Sequence, residues 1–450
     1  MSIVKKTYFH RPMDLNKMQR SHVANFLRSS KFLHNVSKLV SGEVVAQIVA
    51  FASIPLLTRL YSPAAFGILG VFMALSQIGG KVSTLRYDVA LVLPEADRDA
   101  WALFRFSARC CIVFSLSLLL CTYPFRWDIS LAFGADDLAA YFPMIALMVL
   151  GVGWQSLASF WSIRGKHFGV LAKSSAGSSL IGNSCKIGAG VFGFGVGGLM
   201  FGTVLQRWAN LILIRVLTPR SIWLQQLEVG DMKRQALAYG DFPRYRMPQD
   251  TLNSLTRQIP NVLLVSFFSP VAAGFYILAT RIIGLPFSLL QEAIRKVFYL
   301  EAIELEQRGG SLFRLCVRMT LLIAAGMLPI VFVVIQWGPA LSELFFGLEW
   351  ATSGIYAKWV IIAVTFTFCT VPASVVIPIL GWNRFSLIFE AVAMILRISI
   401  ILGVAMTFTV SAMVATISLT TCASSLLLIG IVFSRLHVME AKSQATRSSY

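Results

Sequence analysis

Apolar stretches of about 20 residues recur along almost the whole of this 450-residue chain. At about 1.5 Å of rise per residue, that is the length a helix needs to cross a hydrocarbon layer of roughly 30 Å. We read about twelve of them, over 39–57, 64–85, 103–124, 139–160, 170–192, 195–217, 251–269, 272–297, 313–337, 353–380, 386–408 and 411–434. In lipid every backbone polar group must be paired inside its own segment, so such a series leaves an all-α polytopic membrane bundle as the fold. Charged residues are 13% of the chain, about half the share usual in soluble domains. The second and fifth stretches are the weakest. Gly79, Gly80 and Lys81 interrupt one, and Ser174, Ser175, Ser178 and Ser179 dilute the other, as in a helix that lines a polar cavity.

The formal net charge of +18 is sorted by membrane side and forms no single patch, which argues against a nucleic-acid partner. Lys5, Lys6, Arg11 and Lys17 precede the first span, and Arg98, Arg164, Lys166, Lys233, Arg234, Arg308, Arg384 and Arg435 fall in alternate loops or the tail. The opposite loops hold Arg59, Arg126 and Lys358 beside Asp128, Asp136, Asp137, Glu343 and Glu349. The positive-inside rule then predicts both termini in the cytoplasm, which agrees with an even number of spans. The expected organisation is a basic tail (1–38), a first lobe of six helices (39–217), a cytoplasmic linker (218–250), a second lobe of six (251–434) and a tail (435–450). No cleavable leader is expected, because no short apolar segment with a small-residue cleavage site precedes the first span.

Four cations lie far inside the apolar stretches: Lys186, Arg207, Arg281 and Arg397. A charge near the bilayer centre costs about 2.5–3.5 kcal/mol on insertion scales, so retained ones usually face a bundle interior and mark an ion or substrate path. Their sign implies an anionic cargo. Arg207 shares a helical face with Thr203 and Asn210, and Lys186 shares one with Ser179, Gly182 and Asn183. Arg397 has a bland alternative, pairing with Glu390 on its own face. Arg105, Arg109, Arg314 and Arg318 are near enough to the cytoplasmic side to extend their heads into it, where they can steer anionic lipids.

One internal echo bears on architecture. Ser62-Pro63 with Gly67 recurs as Ser269-Pro270 with Gly274, each copy between the first two spans of a six-span block and away from the basic loops. The two halves therefore run in the same sense, as parallel repeats do when a substrate site lies at their interface. The alternative is that Ser-Pro simply turns the chain between any two spans.

The run Leu57-Thr58-Arg59-Leu60-Tyr61-Ser62-Pro63-Ala64-Ala65-Phe66-Gly67, followed by Leu85-Arg86-Tyr87-Asp88-Val89-Ala90-Leu91-Val92-Leu93-Pro94, resembles bacterial polysaccharide-unit flippases. Tyr239-Gly240-Asp241-Phe242-Pro243-Arg244-Tyr245, Pro260, Gly274-Phe275-Tyr276 and Leu285-Pro286 are similar to that family's central region, so the likeness covers about 37–434. The resemblance implies a two-lobed transporter of the multidrug, oligosaccharidyl-lipid and polysaccharide exporter superfamily, in the bacterial inner membrane. It implies a cargo of undecaprenyl-diphosphate-linked oligosaccharide, with a polysaccharide polymerase and a chain-length regulator as further partners beside membrane lipids. It carries no catalytic residues.

A mechanism follows as an expectation. Arg86, Arg257 and Arg295 attract the diphosphate at the cytoplasmic mouth, and Lys186, Arg207, Arg281 and Arg397 hold it in a cationic cavity while the lipid tail stays in the bilayer. No cofactor is expected. Glu43, on one face with Gln47, is the candidate for coupling to protons or sodium. Competing readings are a multidrug exporter, a lipid II flippase, and a membrane polymerase or ligase. Buried cations are the wrong sign for cationic drugs, and a lipid II flippase generally carries two further helices. The short outer loops lack histidine, against an external glycosyl-transfer enzyme. All seven cysteines fall in apolar spans with no metal-type spacing, and no GxxxxGK[ST] loop is present for nucleotide hydrolysis.

Overall fold

The structure, a computed structural model, describes residues 30–218, 232–307, 310–380, 382–405 and 409–448. Every regular element among them is helical. The long helices are α1 (Ser30–Leu60), α2 (Pro63–Ser83), α3 (Asp97–Thr122), α4 (Phe142–Arg164), α5 (Phe168–Val191), α6 (Gly195–Leu217), α7 (Met247–Phe267), α8 (Pro270–Gln307), α9 (Leu312–Phe346), α10 (Ala351–Cys369), α11 (Asn383–Ala405) and α12 (Val410–Ser448). After a break at Thr370, α10 is continued by Val371–Ile379, with Pro372 in its first turn. Among the described residues, 8 helical segments are long and apolar enough to cross a membrane. The remaining α5, α6, α7 and α11, of 24, 23, 21 and 23 residues, also have the length, and polar residues dilute α5, α6 and α7. The chain is a multi-pass, all-α membrane protein. The basic tail before residue 30 and residues 219–231 of the expected linker lie outside the described residues.

The two weak stretches are unbroken helices, and packing explains their composition. A Cβ on Gly79 or Gly80 would run into Val149 or Val152 of α4, so these glycines let two helices approach closely. The serines of α5 are paired: Ser179 Oγ donates to the Ala46 carbonyl of α1 at 2.8 Å, and Ser174 and Ser178 donate back to their own helix. Gly193 (φ 74°) and Gly195 (φ 54°) supply the positive φ that turns α5 into α6.

The Ser-Pro echo has the same local structure in both copies. Ser62 Oγ accepts the Ala65 N–H at 3.4 Å and Ser269 Oγ accepts the Ala272 N–H at 3.2 Å, so each serine caps a helix that starts at a proline. The copies also meet. A Cβ on Gly67 would collide with the Pro270 carbonyl, and one on Gly274 with the Pro63 carbonyl. The N-terminal ends of α2 and α8 therefore cross with backbones in contact, each glycine against the other copy's proline. Trp350, 1% exposed, sits over this crossing. Its Nε1–H donates to the Thr58 carbonyl at 2.9 Å, and its ring meets Phe66 and Phe275 edge-on, with centroids 5.1 and 5.9 Å away.

At the basic-loop end, α7 lies along α2. Lys81 Nζ donates to Ser254 Oγ, and Arg86 Nε binds Asp250 Oδ2 at 2.8 Å. At the far end of α7, Ser266 Oγ donates to the Phe133 carbonyl at 3.3 Å. The short helix Met232–Ala238 packs on α3, and the Tyr87 hydroxyl donates to the Ala236 carbonyl at 3.0 Å. Burial raises the Tyr87 phenol above its ordinary range, which keeps it a neutral donor. The last turns of α12 cap α9, where Glu440 accepts from the Phe313 N–H at 2.9 Å and from Ser311 Oγ at 2.5 Å.

Candidate functional site

A cavity of about 550 Å³ lies between α1, α2, α4, α5 and α6 on one side and α7 and α8 on the other. Three of the four deep cations line it: Lys186, Arg207 and Arg281. Glu43 is its one carboxylate, so the lining carries a net positive charge. At the basic-loop end the cavity reaches the exposed Glu43, and at the other end it stops at Leu57, Phe66 and Leu199, which are 2%, 1% and 1% exposed.

Side-chain amides and hydroxyls hold the cations in place. Lys186, 4% exposed, donates from Nζ to Gln206 Oε1 at 2.8 Å, and its carbonyl accepts the Tyr61 hydroxyl at 2.6 Å. Gly202 lies against the lysine stem, where a Cβ would clash with Cγ. Arg207 Nη1 donates to Gln155 Oε1, Gln155 Nε2 donates to Asn210 Oδ1 at 2.8 Å, and Asn210 Nδ2 donates to Ser178 Oγ at 3.1 Å. This chain of amides crosses α6, α4 and α5 and fixes the Arg207 guanidinium toward the cavity. Arg281 has no hydrogen bond or ion pair among the described residues.

The arrangement is electrostatically unfavourable while the cavity is empty of anions. Lys186 feels the like charges of Arg207 and Arg281, and among the described residues no ion pair neutralises it. An ion removed from water costs several kcal/mol unless a counter-charge and hydrogen bonds offset that loss. Glu43 is close enough to act on Arg207, and it accepts Ser175 Oγ at 2.9 Å. One carboxylate at the mouth against three cations leaves an unmet demand for negative charge, and two guanidiniums with an ammonium suit phosphoryl oxygens.

The other expected residues lie elsewhere. Arg397 is not in the cavity lining. Its Nη2 donates to Ser424 Oγ of α12 at 2.9 Å, its Nε is buried without a hydrogen-bond partner, and among the described residues no ion pair joins it to Glu390. Arg86 is held by Asp88 at 3.2 Å and Asp250 at 2.8 Å, so it ties α7 to the loop after α2. Arg257 is exposed on α7, outside the cavity lining, within electrostatic reach of Glu390. Gln155, Gln206, Gln258 and Asn261 line the cavity without having been singled out. The signal for Gln155 was available, since it is the most strongly polar residue of the 139–160 stretch.

A second, apolar cavity of about 240 Å³ shares two walls with the first. On α1, Ala50 and Leu57 face the cationic cavity while Phe51, Ile54 and Pro55 face the apolar one. On α8, Thr280 and Arg281 face the first, and Ala279, Ile282 and Ile283 the second. A charged chamber and a hydrocarbon slot thus stand back to back across α1 and α8.

A family model described as polysaccharide biosynthesis protein matches residues 56–354 of this chain. The succinoglycan biosynthesis transport protein ExoT of Rhizobium meliloti (strain 1021) is 24% identical over 308 residues, which are 67% of this chain and 60% of that relative. The match therefore spans less than two thirds of that relative's length. Among solved structures, the lipid II flippase MurJ in an inward closed conformation is similar at a TM-score of 0.68 and 11% identity, over 88% of this chain and 91% of that one. An inward-facing multidrug resistance MATE family transporter of the MOP superfamily is similar at a TM-score of 0.65 and 13% identity, over 88% and 96% of the two chains. At such identities the likeness concerns the fold alone.

Proposed function

The chain belongs to the polysaccharide biosynthesis protein family, and from that premise we propose that it carries undecaprenyl-diphosphate-linked oligosaccharide units from the cytoplasmic to the periplasmic leaflet of the bacterial inner membrane. The single observation behind this reading is the convergence of Lys186, Arg207 and Arg281 on one cavity with a single carboxylate. A diphosphate supplies the negative charge this lining lacks. The sugars fit the amide-rich walls, where Gln47, Gln155, Gln206, Gln258, Asn210 and Asn261 offer both donors and acceptors. The polyprenyl tail needs an apolar surface within reach of the charged group, and the slot behind α1 and α8 supplies one.

With the basic loops in the cytoplasm, the cavity is open inward and closed outward by the Gly67 and Gly274 crossing under Trp350. The unit enters with its diphosphate drawn past Glu43 toward Arg207 and Arg281. Release outward requires the ends of α2 and α8 to part and the cytoplasmic side to close, an alternating-access cycle about the fixed cations. Both termini stay in the cytoplasm. Glu43, which binds Ser175 and acts on Arg207, is placed to exchange a proton or sodium ion as the phosphate arrives. The polymerase and chain-length regulator that use the delivered unit act on the periplasmic side. The relatives found are a transport protein, a flippase and a multidrug transporter, and no enzymatic step enters this reading.

Binding tests this directly. Purified full-length protein in detergent, titrated with undecaprenyl diphosphate, is expected to bind it and to discriminate against undecaprenol, which lacks the phosphates. Equal affinity for the two lipids would remove the cationic cavity from the account.

A further inference from the structure

On the outer face of the first six helices, away from the transport cavity, α3, α4 and α6 enclose a groove of about 760 Å³. Three arginines line it, Arg105 and Arg109 from α3 and Arg215 from α6, with no carboxylate among the described lining residues. On α6 the two sites occupy opposite faces: Arg207 and Asn210 line the transport cavity, while Trp208, Leu211 and Arg215 line the groove.

Helix direction brings the three charges toward one depth. Side chains on a helix lean toward its N-terminus. Helix α3 begins at the basic-loop end, so Arg105 and Arg109 lean back toward that surface. Helix α6 ends there, so Arg215, in its last turn, leans inward to meet them. The Arg105 guanidinium lies 5.6 Å from the Trp101 ring, which directs it along the groove rim. Below the rim the floor is aromatic and aliphatic. Trp154 and Trp208 form its base, and Trp154 Nε1 is buried without a hydrogen-bond acceptor. Ile112, Ile212 and Val216 are 38%, 56% and 71% exposed along its sides.

A cationic rim above an apolar trough, at the end of a membrane bundle, has the shape and charge of an amphiphile with an anionic head and hydrocarbon tails. The geometry points to a binding site here for an anionic diacyl phospholipid of the leaflet at the basic-loop end, with its phosphate among Arg105, Arg109 and Arg215 and its chains along the tryptophan floor. The charge complementarity selects anionic over zwitterionic lipid, because each cation near an anionic lipid headgroup contributes attraction that a choline would cancel. The site lies behind the helix that carries Arg207, so a bound lipid braces α6 against α4. It stands independently of the identity of the transported unit.

Native mass spectrometry of the full-length protein, released from detergent with equimolar phosphatidylglycerol and phosphatidylcholine, reads this preference. The wild type is expected to retain phosphatidylglycerol over phosphatidylcholine by about tenfold or more, given three rim cations. The triple variant R105Q, R109Q and R215Q loses that preference, while R314Q with R318Q, cations at the same end outside the groove, keeps it. A measurement on the wild type alone guards against misfolding of the variant: phosphatidylglycerol with brominated chains quenches tryptophan fluorescence more strongly than brominated phosphatidylcholine. Equal retention of the two lipids, equal quenching by them, or an unchanged preference in a folded triple variant overturns the proposal.

Discussion

Lys186 and Arg281 show how a single side chain is made costly for a purpose. Lys186 is almost wholly buried, donates to a neutral amide, and faces two other cations. Replacing such a charge by an apolar residue of similar length is often neutral or stabilising by about 1–4 kcal/mol. Lys186→Met is therefore expected to raise the thermal midpoint of the substrate-free protein while weakening its affinity for undecaprenyl diphosphate; thermal unfolding and titration of the same sample read both. A lower midpoint would mean that the lysine is structural. Arg281 makes no hydrogen bond or ion pair among the described residues, so Arg281→Gln should leave the midpoint within a degree or two and weaken binding by about tenfold or more, the worth of one charge-assisted hydrogen bond at about 1.5–3 kcal/mol. Gln155→Leu should do the reverse of Lys186→Met in stability. It leaves the Arg207 guanidinium and Asn210 without the amide that joins them, at a cost of about 1–3 kcal/mol for each unsatisfied group. Depth in an apolar stretch made Lys186, Arg207 and Arg281 legible from sequence. Arg86, expected at the cytoplasmic mouth, is neutralised by Asp88 and by Asp250, the latter a pairing across 164 residues that no local pattern reveals.

Among the elements, α2 and α8 carry the gating argument. Their matching Ser-Pro starts and glycines were visible in the chain, but sequence spacing could not say that the two copies would touch each other. The contact explains why glycine stands at both positions: each lies against the other helix's proline carbonyl, with no room for a methyl group. Gly67→Val or Gly274→Val should force these ends apart. Spin labels placed at the non-basic ends of α2 and α8 should report longer distances in either variant than in the wild type, and cysteines near Trp350 should gain labelling from that side. Unchanged distances would show that the crossing yields without opening and is no gate. Helix α7 is the other element whose role needed the structure. Its sequence assigns it to the second six-helix lobe, while Lys81, Arg86 and the Phe133 carbonyl bind it along the first group of helices. Polar residues on α5, α6 and α7 are also why hydropathy alone does not mark these helices as spans.

In the whole molecule, a cavity of net positive charge shares its walls with an apolar slot, in a chain of the polysaccharide biosynthesis protein family. The all-α membrane fold was readable because lipid allows so few structures. Which deep cations share a chamber was not readable, since Arg397 lies mid-span like Arg207 yet donates to Ser424 on α12, outside the cavity lining. In the proposed function, Arg207 and Arg281 together carry an anionic lipid-linked unit across the bilayer. The most direct measurement is translocation of a fluorescent undecaprenyl-diphosphate-linked oligosaccharide in vesicles of reconstituted full-length protein, comparing wild type with R207Q and R281Q combined at equal folded protein. The account predicts wild-type translocation and at least a tenfold slower rate in the double variant. A double variant that moves the unit at the wild-type rate contradicts it.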